Sequence, residues 1–303
     1  MKKISVIYSF RNEESVLPEL IKRTKTSLDS MDYAYEIIFI NDASSDKSRE
    51  VLLSAIETDK SIKVINMSNR FGQTQCLLAG LRNCNGDCAI FLDSDLQDPP
   101  ELFPEMIKKW EEGCEVVNTK RTSRAGENPL KMLLTRVGYL GWNKLSKIDL
   151  PIEAGDFKLI DRKIIDILSD IDEEDPFVRG LVTWIGFKQG IVEYDRQARH
   201  SGETHFPFFG GDPIETFLIG MTSFSIVPLY LALLLSTILI ICSIVYLATM
   251  FMSVDFSIWK FLGLLISGLN FLCFGIMGAY IGRIHIQSRK RPLYVIKDKE
   301  NFS

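Results

Sequence analysis

The chain lacks the marks of several common protein classes. Its six cysteines, Cys76, Cys84, Cys88, Cys114, Cys242 and Cys273, show no C-x-x-C spacing, and the last two fall inside apolar runs, so they read as reduced structural thiols. Basic charge is not in excess: 35 Lys and Arg stand against 39 Asp and Glu. That balance gives no footprint for a nucleic-acid partner. No G-x-G-x-x-G turn follows the first strand-like run, which speaks against a dinucleotide cofactor. A secretory leader core is also missing, because Lys2-Lys3 precede only a short strand-like run ending in Arg11, Asn12, Glu13 and Glu14. The protein is therefore not expected to be secreted. Neither internal repeats nor low-complexity tracts interrupt it.

Charge itself is missing from two long stretches. Ile226 to Phe251 and Phe261 to Ile281 carry no ionisable Asp, Glu, Lys or Arg, and each exceeds the roughly 20 residues a helix needs to cross a bilayer core. A close tandem of this kind predicts a helical hairpin in a membrane rather than a buried core helix. Arg283, Arg289, Lys290, Arg291, Lys297 and Lys299 follow the second run, whereas the turn around Ser253, Val254 and Asp255 has no basic residue. By the positive-inside rule the tail is cytoplasmic, and two spans return the chain to its starting side. Lys260 reaches the far interface by snorkelling. Ahead of the first run, Asp212 to Val227 alternates apolar and polar residues after Gly210-Gly211, a pattern for an amphipathic helix lying in the interface. The expected organisation is a cytoplasmic domain over 1–210, an interfacial segment over 211–227, two membrane helices over 228–282 and a basic cytoplasmic tail over 283–303.

In the first third, short apolar strands alternate with helices. Strands are predicted at Ile4–Phe10, Tyr35–Ile40, Ile62–Met67 and Cys88–Leu92, and helices at Val16–Leu28, Asp46–Ile56 and Gln73–Arg82. Alternation of this kind implies an α/β fold with a mostly parallel sheet covered on both faces and ligands beyond the carboxyl ends of the strands. The residues suited to chemistry lie at those ends: Asn12 and Glu13, then Asp42, then Asn69 to Gly72, then Asp93 to Asp98. Farther on, the pattern predicts a helix over Leu102–Glu112, a strand over Glu115–Thr119, a long basic helix from about Pro129 to Ser146, and short elements at Phe157–Leu168 and Val192–Asp195.

Asp93-Ser94-Asp95-Leu96-Gln97-Asp98-Pro99-Pro100 is the most informative stretch. Two carboxylates one residue apart at a strand end can share a hard divalent cation, which takes oxygen ligands and leaves positions for diphosphate oxygens. Gln97 adds another oxygen, and the double proline fixes the exit. Asp42, in Asn41-Asp42-Ala43-Ser44-Ser45-Asp46, reads either as part of a turn whose Ser45 or Asp46 caps the next helix, or as an acceptor for a uracil imide. Both can hold together. Arg121, Arg124, Lys131 and Arg136 follow the fifth strand. They can form a solvated helix face or grip phosphate, for which the planar guanidinium fork is suited.

Taken in order, Asn12-Glu13-Glu14, the Asn41 to Asp46 run, Asn69-Arg70-Phe71-Gly72, the Asp93 to Glu101 block, Arg121-x-x-Arg124-x-Gly126-Glu127, Gly155-Asp156-Phe157, Arg179-Gly180-Leu181, Gly282-Arg283-Ile284 and Arg291-Arg-Pro-Leu-Tyr-Val resemble one group over nearly the whole chain. That group is the family-two, GT-A-fold polyprenyl-phosphate glycosyltransferases, which includes bactoprenol glucosyltransferases, undecaprenyl-phosphate formamido-arabinose transferases and dolichol-phosphate mannose synthases. The resemblance implies that Asp93, Asp95 and Gln97 hold Mg²⁺ or Mn²⁺, while Phe10, Glu13, Asp42 and Ser94 line a nucleoside pocket. It also places Gly72, Arg136, Arg179 and His205 among the substrate-binding residues. Arg121, Arg124 and Lys131 fall on the family's basic motif and would hold the lipid phosphate; Asp156 would orient donor or acceptor, or act as a weak base. This chain departs from the family pattern at Tyr8-Ser9-Phe10-Arg11, where proline and tyrosine are usual, and at Ala43, where glycine is usual. Asn128 stands where serine is common, and His205 where a lysine is common; His205 can replace that lysine at a phosphate only when hydrogen-bonding or protonated.

The implied reaction is inverting transfer of a sugar from a nucleotide-sugar, with a uridine diphosphate carrier ahead of guanosine diphosphate, to a polyisoprenyl phosphate. The implied setting is a bacterial inner membrane, and the implied assembly a homo-oligomer such as a tetramer. A polyprenyl phosphate is already ionised near neutral pH, so attack at the anomeric carbon needs a stabilised leaving group and suppressed charge repulsion more than a base. A processive polysaccharide synthase would carry Gln-x-x-Arg-Trp, and none of Trp110, Trp142, Trp184 or Trp259 sits in such a motif. A non-catalytic membrane scaffold would not need the intact Asp93, Asp95 and basic motif.

Overall fold

A computed structural model describes residues 1–121, 154–173, 176–195, 227–250 and 256–302. The chain runs β1 (Lys3–Phe10), α1 (Leu17–Asp29), β2 (Ala34–Asn41), α2 (Ser48–Thr58), β3 (Ile62–Met67), α3 (Gln73–Asn83) and β4 (Cys88–Asp93). A short 3₁₀ turn at Pro100–Leu102 leads into α4 (Phe103–Glu111). Then come β5 (Val116–Arg121), β6 (Ala154–Asp161), α5 (Arg162–Asp170), α6 (Val178–Trp184) and β7 (Gln189–Tyr194). Two long helices, α7 (Val227–Met250) and α8 (Phe256–Ser288), precede β8 (Ile296–Glu300). The predicted basic helix at 129–146 and residues 212–226 of the predicted interfacial helix lie outside the described residues.

The sheet has eight strands in the order β7-β5-β6-β4-β1-β2-β3-β8. β3, β2, β1 and β4 are parallel, as the strand–helix alternation requires; β6 then runs antiparallel between β4 and β5, and β7 is parallel to β5. Six of the eight strands run in one direction and β6 and β8 against them, so the sheet is mostly parallel as expected. Alternation along β1 sends Ile4, Val6, Tyr8 and Phe10 to one face, where they pack with α1, α2 and α4, and sends Ile7 to the other, against α3. Both faces are covered, which is why these strands read as near-continuous apolar runs.

The last strand corrects the expectation of a separate basic tail. Residues 296–300 pair antiparallel with β3. Asn66 Nδ2 donates to Asp298 Oδ1 at 2.5 Å, and Arg49 Nη2 reaches Glu300 at 3.0 Å. Ile-Lys-Asp-Lys-Glu hides its strand character because an edge strand keeps charged residues on its free side. Its pairing also carries the chain beyond α8 back to the sheet it left before α7.

α7 and α8 touch through Cys273, whose Sγ donates to the Ala232 carbonyl at 3.4 Å. Their flanks are apolar and open: Phe271 is 75% and Phe274 65% exposed. Among the described residues one segment, Leu265–Ser288, is long and apolar enough to cross a membrane. The end of α8 meets the globular part where Gln287 Nε2 donates to the Asp172 carbonyl at 2.5 Å.

At the amino end of the sheet, Glu36 is buried with four donors: Lys3 Nζ at 2.7 Å, Lys63 Nζ at 3.0 Å, Ser5 Oγ at 2.6 Å and the Asn85 N–H at 2.6 Å. Burial works to raise its pKa, but these donors outweigh it and hold the carboxyl at about 2, against an ordinary 4.5. A depressed carboxylate stabilises the fold above its unfolded value, and that contribution is lost as pH falls from 4.5 through about 2. Glu36→Gln is expected to cost about 3 kcal/mol by stranding two lysines, and to flatten the acid limb of a urea-midpoint profile. An unchanged limb would contradict this assignment.

Candidate active site

β1 to β5 and β7 run in one direction and β6 runs against them, so the carboxyl ends of those six strands and the start of β6 lie along one edge of the sheet. The loops after β1 and β2 are laced together. Asn12 N donates to Ser44 Oγ at 3.0 Å, Ser45 N to Asn12 Oδ1 at 2.8 Å, Glu13 N to Ser48 Oγ at 2.9 Å and Glu14 N to Asp46 Oδ2 at 3.1 Å. Asp46 Oδ1 also accepts from Ser48 N at 3.1 Å, but the N-cap of α2 is Lys47, which makes no side-chain cap, so neither Ser45 nor Asp46 takes the capping position anticipated. Asn12 and Ala43 take positive φ, at 56° and 52°, the usual geometry of such tight crossings.

Asp42 is buried, and its two oxygens accept from Phe71 N at 2.7 Å and Gly72 N at 3.1 Å. It thus holds the turn between β3 and α3. Gly72 sits at φ 97°, ψ 167°, a region open essentially to glycine alone. Gly72→Ala is expected to cost about 1–3 kcal/mol, read as a lower thermal midpoint; an unaltered midpoint would refute the strain.

The acidic turn follows β4. Asp95 Oδ1 accepts from Gln97 N at 3.1 Å, and Leu96 is forced to φ 60°. The antiparallel register, with Phe91 opposite Lys158, carries Asp93 and Asp156 toward one another two residues farther on. Asp93 accepts from Gln73 Nε2. Burial, then the nearby charges of Asp156, Asp98 and Asp95, push its carboxyl up to about 7, with Arg121 opposing. A concentration of oxygen donors that disfavours its own negative charge fits a hard dication. Among the described residues no three His, Cys, Asp or Glu side chains form a metal-ligand group.

Opposite lies a cationic group. Arg179 grips Asp156 with Nε to Oδ1 at 3.2 Å and Nη2 to Oδ2 at 2.8 Å. Burial would raise the Asp156 pKa, but Arg179, Lys158 and Arg121 outweigh it and lower it. Lys158 is almost fully buried, with Nζ donating to Asn118 Oδ1, and desolvation followed by Arg179 brings it down to about 8. Arg121, at the end of β5, donates from Nε to Tyr194 Oη at 3.2 Å and lies 3.7 Å from Asp98. This edge therefore sets an acidic turn beside a group of paired cations.

Of the residues anticipated from sequence, Asp42, Gly72, Asp93, Ser94, Asp95, Gln97, Arg121, Asp156 and Arg179 lie along this edge, and Glu13 stands in the first loop. Phe10 differs from expectation. Its side chain is 3% exposed and packs edge-on against Phe39 at 6.4 Å, because strand parity turns it into the core. Its carbonyl, accepting from Asp42 N at 3.0 Å, is what braces the edge. Arg124, Lys131, Arg136 and His205 lie outside the described residues. Sequence reasoning missed Tyr194, Lys158 and the role of Asp98; only the ordered acidic block hinted at Asp98, and a tyrosine closing an edge strand gave no signal.

A fold and edge of this kind define a sugar-nucleotide-dependent transferase class, and the comparisons agree. The chain belongs to glycosyl transferase family 2, whose model matches residues 5–168. It is 40% identical to the uncharacterized glycosyltransferase YkcC of Bacillus subtilis, over 97% of this chain and 93% of that one. It is 33% identical to the prophage bactoprenol glucosyl transferase homolog of Escherichia coli, over 97% and 98%. With the bactoprenol glucosyl transferase of Shigella phage SfV it shares 32% identity over 98% and 99%. A solved structure of glucosyl-3-phosphoglycerate synthase from Mycobacterium tuberculosis, with Mn²⁺, UDP and glucosyl-3-phosphoglycerate, aligns at a TM-score of 0.48 and 16% identity, over 73% and 78%.

Proposed function

We propose that this glycosyltransferase moves a sugar from a uridine diphosphate carrier to the phosphate of a polyisoprenyl lipid at the cytoplasmic face of a bacterial inner membrane, inverting the anomeric centre. The observation that carries the reading is the join of an acidic turn and a basic group at one sheet edge with a pair of apolar helices whose two ends both lead to that sheet. Near-full-length similarity to proteins named bactoprenol glucosyl transferase supports the acceptor.

In this reading α7 and α8 both span the bilayer. At about 1.5 Å per residue, the 24 residues of α7 and the 33 of α8 exceed a hydrocarbon core of roughly 30 Å. Open apolar flanks such as Phe271 favour lipid as their surroundings. The return of β8 to the sheet is in keeping with an even number of crossings.

Asp93, Asp95 and Gln97 would hold Mg²⁺ or Mn²⁺, which when bound neutralises charge on the departing diphosphate. Asp42 keeps the 71–72 turn shaped for the nucleoside side. Arg121, with Arg124 and Lys131, would hold the acceptor phosphate in line against the repulsion of the donor. Asp156 stays ionised against Arg179, which suits it to orient a sugar hydroxyl and makes it a poor base.

Purified protein in lipid nanodiscs, given undecaprenyl phosphate, Mg²⁺ and a panel of nucleotide-sugars, should yield a lipid heavier by one sugar with at least one UDP-sugar. Longer chains on the lipid would indicate a processive synthase. Absence of product with every donor would contradict the reading and favour a scaffold.

A further inference from the structure

The phosphate-gripping role proposed for Arg121 depends on how its guanidinium is aimed, and the structure surrounds it with a device that no motif announced. Tyr194, 5% exposed, ends β7 directly opposite Arg121 in the parallel β5–β7 register. Its hydroxyl donates to Asp98 Oδ1, which is 1% exposed. With its proton so committed, the oxygen turns a lone pair to Arg121 Nε–H at 3.2 Å. Behind it the ring stands edge-on to buried Phe157 at 6.1 Å, so the hydroxyl is held from the ring side as well. The other flank of the guanidinium is closed by Gly155, where an added Cβ would come within 3.3 Å of Arg121 Nη2.

We propose that Tyr194 is a positioning residue for the acceptor phosphate: with Asp98 and the bare flank of Gly155, it sets the plane of the Arg121 fork. This rests on the reading of Arg121 as a phosphate ligand. A guanidinium binds phosphate through paired, coplanar N–H donors, so rotation about its stem decides whether two oxygens or one are met. The hydroxyl also stands between two opposite charges. Asp98 is already 3.7 Å from Arg121 Nη2; Tyr194 is the partner of Nε among the described residues, and without its hydroxyl the fork swings toward the carboxylate. Asp98 closes the same turn that carries Asp93, Asp95 and Gln97, so the clamp also fixes the distance from the acidic turn to the basic group.

The test is calorimetric binding of farnesyl phosphate and, separately, of UDP with Mg²⁺, to the full chain in nanodiscs. Tyr194→Phe keeps the ring and removes the hydroxyl. It should weaken farnesyl phosphate binding about tenfold, approach the effect of Arg121→Lys, and leave UDP affinity nearly unchanged, with a fall in thermal midpoint limited to the donor that buried Asp98 loses. In transfer assays the acceptor KM should rise with little change in kcat. Gly155→Ala, which pushes the fork from the other flank, should act in the same direction and guards against a folding defect peculiar to Tyr194→Phe. Unchanged farnesyl phosphate affinity in both variants would overturn the clamp, as would equal losses of UDP and farnesyl phosphate binding with a lowered midpoint. Wild-type protein that fails to bind farnesyl phosphate also overturns it. Protein that binds farnesyl phosphate through the clamp but transfers no sugar refutes the proposed reaction and leaves the clamp standing.

Discussion

Asp95→Asn is expected to lower the rate of sugar transfer to polyprenyl phosphate roughly a hundred- to a thousandfold, measured as initial rates at saturating donor and acceptor. Asparagine retains an oxygen for the Gln97 N–H that Asp95 now satisfies at 3.1 Å, so the turn and its positive-φ Leu96 should survive. What it removes is the charge. The turn sets Asp93, Asp95 and Asp98 beside Asp156, and burial, reinforced by those neighbouring charges, lifts Asp93 to about 7. A group of this kind is stabilised by a dication, and the same dication is what a departing diphosphate needs. Transfer retained within a fewfold, with Mg²⁺ still required, would place the metal elsewhere.

The second large effect is expected at Asp156. Its bidentate pairing with Arg179 keeps the carboxyl below the ordinary carboxylate range despite burial, so it is ionised throughout the neutral range. Asp156→Asn removes one negative charge among Arg179, Lys158 and Arg121 and leaves Arg179 poorly paired. Turnover should fall by roughly a hundredfold. The acid limb of the pH–rate profile should persist, because a carboxylate already ionised there is not the titrating group, although it should move to lower pH as Asp93 loses the nearby charge of Asp156. If that limb vanished in the variant, Asp156 would be the general base after all.

The parallel half of the fold was legible because each strand from β1 to β4 is short, apolar on both faces and followed by an amphipathic helix. The predicted span of β3 coincides with the observed one, and its neighbours shift at their ends by one or two residues. Legibility fell where tertiary pairing overrides local pattern. β6 is antiparallel and holds buried Lys158 and the polar Asp156 in its middle, so its alternation is masked. β8 is nearly all charged and becomes a strand only because β3 offers it an edge.

Within the edge, the residues singled out by short motifs, namely the acidic turn, Asp42, Arg121 and Asp156, are those the fold brings together. Residues that act by holding others were not singled out. Asp98, just after β4, and Tyr194, at the end of β7, come together from 96 positions apart in the sequence, and no local spacing encodes such a meeting. Phe10 shows the converse. A residue next to the loop was credited with lining a pocket, yet the two-residue period of β1 turns it inward.

The most direct measurement is calorimetric titration of UDP into the wild type and Asp95→Ala, each with Mn²⁺ and again with EDTA. UDP should bind the wild type at least about tenfold more tightly with the metal than without it, while Asp95→Ala should bind weakly in both conditions. Equal wild-type affinity with Mn²⁺ and with EDTA would contradict a diphosphate held through a cation on the acidic turn.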